Sequence, residues 1–404
     1  MEFTTSDPLT FGLELELEIV DLNTGQLSPS SMQLWDDLQK TPYGKLYALE
    51  ATQSTIELNS SVHRDAESMR QEVFARVTQL QEVAKTHGVA VCGGGTHIAQ
   101  FWNERELTPS RRARELDRRF GFLPKRFSTY GMHVHVGMPD TESAVRVANV
   151  LQAHTPLFIA MSAASPFLQH VDSGFAASRP LEPLVYPHGG PMPYLLDWPH
   201  FESLAQEFFD TGIAESLKDI YWDVRPKPEF GTVEVRVFDT PLTVDKAVNL
   251  AAWTRAIAGL ALNGHLEISQ PRRHVTEGKV SRFLACRDGL QARLFDPVSG
   301  RRLIARDWAS MLCSQIAAHQ PTPMDQRALD AVMQGLASEE DHERMRTLWR
   351  TLSPSSSLPE GEQPSAELLA AYSAALRDQL LGAADTLDQT SDAAGVNTPM
   401  QCAV

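Results

Sequence analysis

The 404-residue chain is 42% hydrophobic and 22% charged, ordinary values for a globular protein with room for one large domain or two. Its formal net charge of −15 leaves no basic footprint for nucleic acid or for an anionic membrane, which argues against both as partners. Cys92, Cys286, Cys313 and Cys402 are scattered without a Cys-x-x-Cys pair, against a zinc ribbon or disulfide framework and in keeping with a reducing cytoplasm.

No basic segment followed by an apolar run opens the chain, so no signal peptide is expected, and no apolar run reaches the ~18 residues of a membrane span. Phe11, Leu13, Leu15, Leu17 and Ile19 alternate with Glu14, Glu16 and Glu18, the period of a strand with one buried face. Its other face then carries three carboxylates roughly 6.5–7 Å apart. Their repulsion must be offset by divalent cations or by a row of Lys or Arg on the next strand. Asp21–Gly25 reads as a turn. A second acidic strand follows, with Ile56 and Leu58 on one side and Thr55, Glu57 and Asn59 on the other. Glu50, seven residues before Glu57, shares that face only if a bulge or turn intervenes. Residues 65–87 read as an amphipathic helix stopped by Gly88, and Val89–Cys92 as a buried strand ending in a tight turn at Gly93–Gly95. The Arg-rich run 110–126 reads as a helix with a solvated face that could also draw a nucleotide's phosphates.

In Tyr130–Gly137, Met132, Val134 and Val136 oppose His133 and His135, a pair able to reach one cation or phosphate. Residues 141–164 read as a buried helix with a potential break at Pro156. The 165–193 loop is long for a connection, and its aromatic content favours an ordered, packed loop. In Thr232–Asp239, Val233, Val235 and Val237 oppose Glu234 and Arg236. Helices are expected over 243–268, most of 281–320, 325–352 and 366–388. The expected organisation is a catalytic domain over 1–352, a Ser/Pro linker over 353–365, a C-terminal helix over 366–388 packing on that domain, and a disordered tail over 389–404.

Four strands thus share a dry face of Leu, Ile, Met or Val and a wet face of Glu, His or Arg. The expected class is α+β, an antiparallel sheet with helices on its dry side and a polar cavity on the other. The floor of that cavity would gather Glu14, Glu16, Glu18, Glu57, His133, His135, Glu234 and Arg236. Carboxylates with an occasional imidazole suit Mg²⁺ or Mn²⁺ better than Zn²⁺. With arginines nearby, such ions suit phosphoryl transfer from a nucleotide. A metal-dependent amide hydrolase would use the same cluster, and a non-catalytic metal- or nucleotide-binding regulator stays open.

The chain also resembles the bacterial carboxylate–amine ligases, the type 2 glutamate–cysteine ligase family. The resemblance runs over roughly residues 10–295 through Gly12–Glu16, Gln53–Glu57, Thr96-His97, Gly131–Gly137, Ser162–Phe167, Ser173-Gly174, Ser178-Arg179, Trp222–Pro226 and Gly231–Arg236, in the family's order. It implies a glutamine-synthetase-like fold, in which an antiparallel sheet forms a funnel with helices outside. It implies Mg²⁺ (or Mn²⁺) bound with ATP, and Glu14, Glu16, Glu57, His133 and Glu234 as metal ligands, with Glu50 a further candidate. By the same resemblance Arg236 and Arg179 are catalytic, and Arg225, His135 and Arg236 meet the nucleotide or a substrate carboxylate. The implied reaction activates a carboxylate, typically the γ-carboxylate of glutamate, as an acyl phosphate that an amine such as cysteine displaces. Small molecules are then the partners, and a homodimer is implied. Leu15 replaces the middle of three Glu in the first motif, but on the dry side. Ser281 stands where the family has Asn before Arg, and Gly335–Arg344 only echoes the C-terminal motif.

Overall fold

The period-two segments become one sheet. The computed structural model describes residues 1–126, 129–269, 271–319, 323–353, 355 and 357–382. Strands β1 (Phe11–Asp21), β2 (Tyr47–Leu49), β3 (Thr55–Asn59), β4 (Val89–Cys92) and β5 (Gly131–Gly137) come first. Two short pairs follow, β6 (Phe167–Leu168) with β7 (Val171–Asp172), and β8 (Gly189–Gly190) with β9 (Tyr221–Trp222). Last come β10 (Val224–Lys227), β11 (Thr232–Asp239) and the hairpin β12 (Arg293–Phe295)–β13 (Arg302–Ile304).

Seven strands form the main sheet in the order β10-β11-β5-β1-β3-β2, with β4 also beside β1. Every pairing in it is antiparallel. The four strands with a dry and a wet face, β11, β5, β1 and β3, are contiguous.

The helices are α1 (Ser31–Leu38), α2 (Ala66–Thr86), α3 (Arg111–Phe120), α4 (Leu123–Arg126), α5 (Thr141–Ser162) and α6 (Trp198–Asp210). Then come α7 (Val244–Leu262), α8 (Pro271–Asp288), α9 (Ala305–Ala317), α10 (Pro323–Gly335), α11 (Asp341–Leu352) and α12 (Ala366–Leu380). None of the described helices is long and apolar enough to cross a membrane. Helices α5 and α7 lie against the sheet, with α2 and α8 against them. Leu13, Leu15, Leu17, Val134, Val136, Val233 and Val235 are buried in this core with Phe158 and Trp253. Each such side chain contributes about 1.5–3 kcal/mol on burial.

Helix α5 runs unbroken through Pro156. Proline there removes the bond to the Gln152 carbonyl. Thr155 Oγ1 donates to that carbonyl at 2.9 Å and repairs the gap. The run 281–320 is not one helical stretch, because the β12–β13 hairpin interrupts it. Its turn, Asp296-Pro297-Val298-Ser299-Gly300, has Gly300 at φ +69° and the Asp296 carboxylate accepting from the Val298 and Ser299 amides. The Arg-rich run splits into α3 and α4 at Gly121, φ +61°. Several of its arginines face acids rather than solvent alone: Arg112 meets Asp219, Arg119 meets Glu215, and Arg126 meets Glu182.

Residues 357–361 are hydrogen-bonded to the β6–β7 hairpin: Asp172 N–H reaches the Pro359 carbonyl, and Gly361 N–H the His170 carbonyl. Helix α12 buries Leu369, Tyr372 and Leu376 with Trp349, Cys92 and Tyr130. The described helix runs to Leu380, before Gly382 at φ +77°, and residues 383–388 of the expected helix lie outside the described residues. The expected tail, 389–404, lies outside the described residues.

Candidate functional site

Strand register writes the chemistry in rows. Glu14 lies between Asn59 on β3 and His133 on β5, and Glu16 lies opposite Glu57. Glu234 lies between His135 on β5 and Arg225 on β10. Neighbouring strands are about 4.8 Å apart, so side chains on one face of adjacent strands meet directly. Beyond Val235 the β11–β5 register shifts before Phe238. A bulge re-aims the residues it contains, and here Arg236 Nη1 donates to Glu234 Oε1.

The cluster is tightly bonded. His133 Nδ1 lies 2.7 Å from Glu14 Oε2 and His135 Nε2 lies 3.0 Å from Glu14 Oε1. His133 Nε2 is 3.5 Å from Glu16 Oε1, and His135 Nδ1 is 3.0 Å from Thr232 Oγ1. Asn59 Nδ2 donates to Glu57 Oε1 at 2.8 Å, and the Gly131 amide donates to Glu16 Oε2. Three overlapping groupings each bring their donor atoms within 4.8 Å of one another: Glu14/Glu57/His133, Glu14/His135/Glu234 and Glu16/Glu50/Glu57. This donor set, mostly carboxylate oxygens with two imidazoles, fits a hard divalent cation.

Charge is distributed unevenly among these acids. Burial raises the pKa of Glu14, but the two imidazoles beside it outweigh that effect and hold its carboxyl well below the usual range. At Glu234, Arg225, Arg236 and Lys227 likewise prevail over burial. Glu57 goes the other way: burial, then the nearby charges of Glu14 and Glu50, push it well above the usual range. Glu16 is also raised, by burial and despite His133 and Arg179. Burial, followed by Arg236, lowers His133.

The expected residues converge, with three adjustments. Glu50 joins the cluster because the β2–β3 turn, rather than a continuous strand, separates it from Glu57. Glu18 does not belong to the cavity floor. Past Leu17 that edge of β1 leaves β5 for β4, with Glu18 opposite Cys92, and Tyr130 and the α12 residue Tyr372 lie close by. The Glu18 carboxyl is 2% exposed, its Oε2 has no hydrogen-bond partner, and burial holds it well above the usual pKa range. Arg225, expected at a phosphate or substrate carboxylate, turns Nε to Glu234 at 2.8 Å and Nη1 to the carbonyls of Leu217, Lys218 and Ile220. It holds the site's wall. His135 likewise has both nitrogens engaged by neighbouring side chains. Arg236 is the more accessible arginine, its side chain 23% exposed.

Arg179 packs its guanidinium against Gly131 and donates from Nη2 to the Arg236 carbonyl at 3.4 Å. Asp239 escaped the sequence pattern, and Asp223 and Arg282, though they lie in segments that the resemblance covers, were given no role there. Asp239 lies beyond the β11 bulge, where period two fails, and Arg282 sits on a helix remote in sequence.

The sequence model of glutamate–cysteine ligase family 2 matches residues 10–348. The chain belongs to that family. It is an ATP-dependent carboxylate–amine ligase. A relative from Methylibium petroleiphilum provisionally named glutamate–cysteine ligase 2 is 37% identical over 330 residues, 82% of this chain and 88% of its own. One from Herminiimonas arsenicoxydans with the same provisional name is 38% identical over 307 residues, 76% and 83% of the two chains. Among solved structures, Francisella tularensis glutamate–cysteine ligase in complex with AMP superposes with a TM-score of 0.66 at 13% identity, covering 95% of this chain and 91% of that one. The bifunctional glutathione synthetase of Pasteurella multocida gives 0.62 at 14%, covering 91% and 52%. At such identities the likeness establishes the fold, which is glutamine-synthetase-like.

Proposed function

We propose that this ligase uses Mg²⁺·ATP to phosphorylate the γ-carboxylate of glutamate and passes the acyl group to an amine, cysteine being the first acceptor to try. The observation that carries this reading is the run of three overlapping acid and imidazole groupings beside Arg236 and Arg179. Glu14, Glu16, Glu50, Glu57, His133 and Glu234 would hold the cations, with His135 fixing Glu14 from behind. Bound there, Mg²⁺ supplies charge neutralisation for the nucleotide's phosphates.

A substrate carboxylate oxygen attacks the γ-phosphorus and ADP leaves. The amine nitrogen then attacks the acyl carbon, loses its proton, and the carbon–oxygen bond to phosphate breaks. Arg236 and Arg179 hold the charge that builds on the transferred group. Residues 1–352 would form the catalytic domain, joined through 353–365 to a C-terminal helix, in a cytoplasmic enzyme that pairs as a homodimer.

Glutamate carrying heavy oxygen in its γ-carboxylate tests the route. Transfer of one labelled oxygen to the released phosphate supports an acyl phosphate. Phosphate released without label contradicts it.

A further inference from the structure

Arg179 opens the short 3-10 helix Arg179–Val185 and is held at its backbone by buried polar side chains from distant parts of the chain. Its amide donates to Ser165 Oγ at 3.0 Å, and Ser165 Oγ donates to Asp239 Oδ2 at 2.6 Å. The Ala164 amide donates to the same oxygen at 2.9 Å. One residue on, the Pro180 carbonyl accepts from Arg282, which also pairs with Asp223. Ser165 and Asp239 are fully buried, and Arg282 and Asp223 nearly so.

Two glycines clear the space. A Cβ at Gly95 would meet the Asp239 carboxylate, and a Cβ at Gly131 would fall on the Arg179 guanidinium. Asp239 Oδ1 and Arg179 Nε have no hydrogen-bond partner. A buried carboxylate without a full complement of partners is costly, and an apolar residue of similar size would serve the core better.

We propose that Asp239, acting through Ser165, is a positioning residue that sets the reach of the Arg179 guanidinium, with Arg282 as the second anchor. The inference rests on the reading of Arg179 as a contact to the reacting group. The backbone on both sides of Arg179 is fixed, so a tilt there is carried to the end of a long side chain. A misplacement of about 1 Å at a reacting centre costs about 100-fold in rate.

A double-mutant cycle tests this. In the presence of Arg179, Asp239→Ala and Ser165→Ala are each expected to lower kcat/KM by about 10- to 100-fold. Asp239→Asn keeps an oxygen that can accept both bonds, and recovers part of the loss. In an Arg179→Ala enzyme the same substitutions change kcat/KM by less than about twofold, since the group they position is gone. Equal losses in both backgrounds overturn the proposal while leaving the reading of Arg179 intact. An Arg179→Ala enzyme of wild-type kcat/KM overturns both. Ser165→Ala, which removes a single hydroxyl, carries the cycle if Asp239→Ala fails to fold. If the wild-type enzyme turns over no substrate pair, the cycle is read on Mg²⁺·ATP affinity with the same expectations.

Discussion

The guanidinium of Arg179 fills the place where a side chain on Gly131 would stand, while the Gly131 amide holds Glu16. Glycine is thus needed at 131 for room. Gly131→Ala displaces only the flexible end of Arg179, so its cost in melting temperature is small. Its cost in catalysis is larger, about 10- to 100-fold in kcat/KM by the sensitivity of reacting groups to misplacement. Steady-state kinetics beside a thermal melt separate the two effects.

Burial, then the nearby charges of Glu14 and Glu50, push the Glu57 carboxyl well above the usual range. A carboxyl raised in the folded state stabilises the fold fully below the unfolded value of about 4.3, and that stability is lost as pH rises through the folded value. Glutamine does not titrate. Metal-free Glu57→Gln is therefore expected to melt higher than wild type at pH 7–8, with the difference gone near pH 4. Added Mg²⁺ should raise the melting temperature of the wild type and do little for the variant.

Glu18 follows the same sign for a different reason, because burial alone raises it and its Oε2 is unpaired. Glu18→Gln is expected to gain about 1–3 kcal/mol at pH 8 and nothing near pH 4. The carboxyl faces Cys92, Tyr130 and α12, away from the cation groupings, so ligase activity should be unchanged. Urea denaturation at the two pH values measures this. A loss of activity would return Glu18 to the catalytic floor.

Arg225 and Arg236 both pair with Glu234 but differ in exposure, 5% against 23% for their side chains. Removing Arg225 takes from buried Glu234 one of its two guanidinium partners and takes a shared donor from the carbonyls of Leu217, Lys218 and Ile220. Arg225→Gln should cost about 1.5–3 kcal/mol of stability through its lost buried charge-assisted hydrogen bonds. Arg236→Gln also leaves Glu234 one arginine but takes no donor from those carbonyls and acts at a more exposed side chain, so its stability cost should be smaller and its loss of kcat the greater. Denaturant midpoints against turnover numbers distinguish the wall from the working group.

The period-two strands were legible because each carries its own contrast of apolar and charged residues. Placing β11, β5, β1 and β3 side by side then followed from their shared dry face. What stayed hidden depended on partners. Glu18 fits the alternation of β1 perfectly, yet the strand's neighbour changes beneath it from β5 to β4. Asp239 falls out of step because a bulge adds a residue that no local pattern marks. Arg225 looks like Arg236 in sequence, and the hydrogen bonds of Arg225 to the carbonyls of Leu217, Lys218 and Ile220 become visible only in the fold. The β12–β13 hairpin was the exception: its Asp-Pro-Val-Ser-Gly turn was visible, and the surrounding helical composition masked it.

The most direct test of the central claim is ADP release with Mg²⁺ and ATP across a panel of amino acids and amines, with Glu16→Ala alongside. The account predicts ADP only when a carboxylate and an amine are both present, and none above background from the variant. Hydrolysis of a γ-glutamyl amide without ATP, and no ADP from any pair, would contradict it.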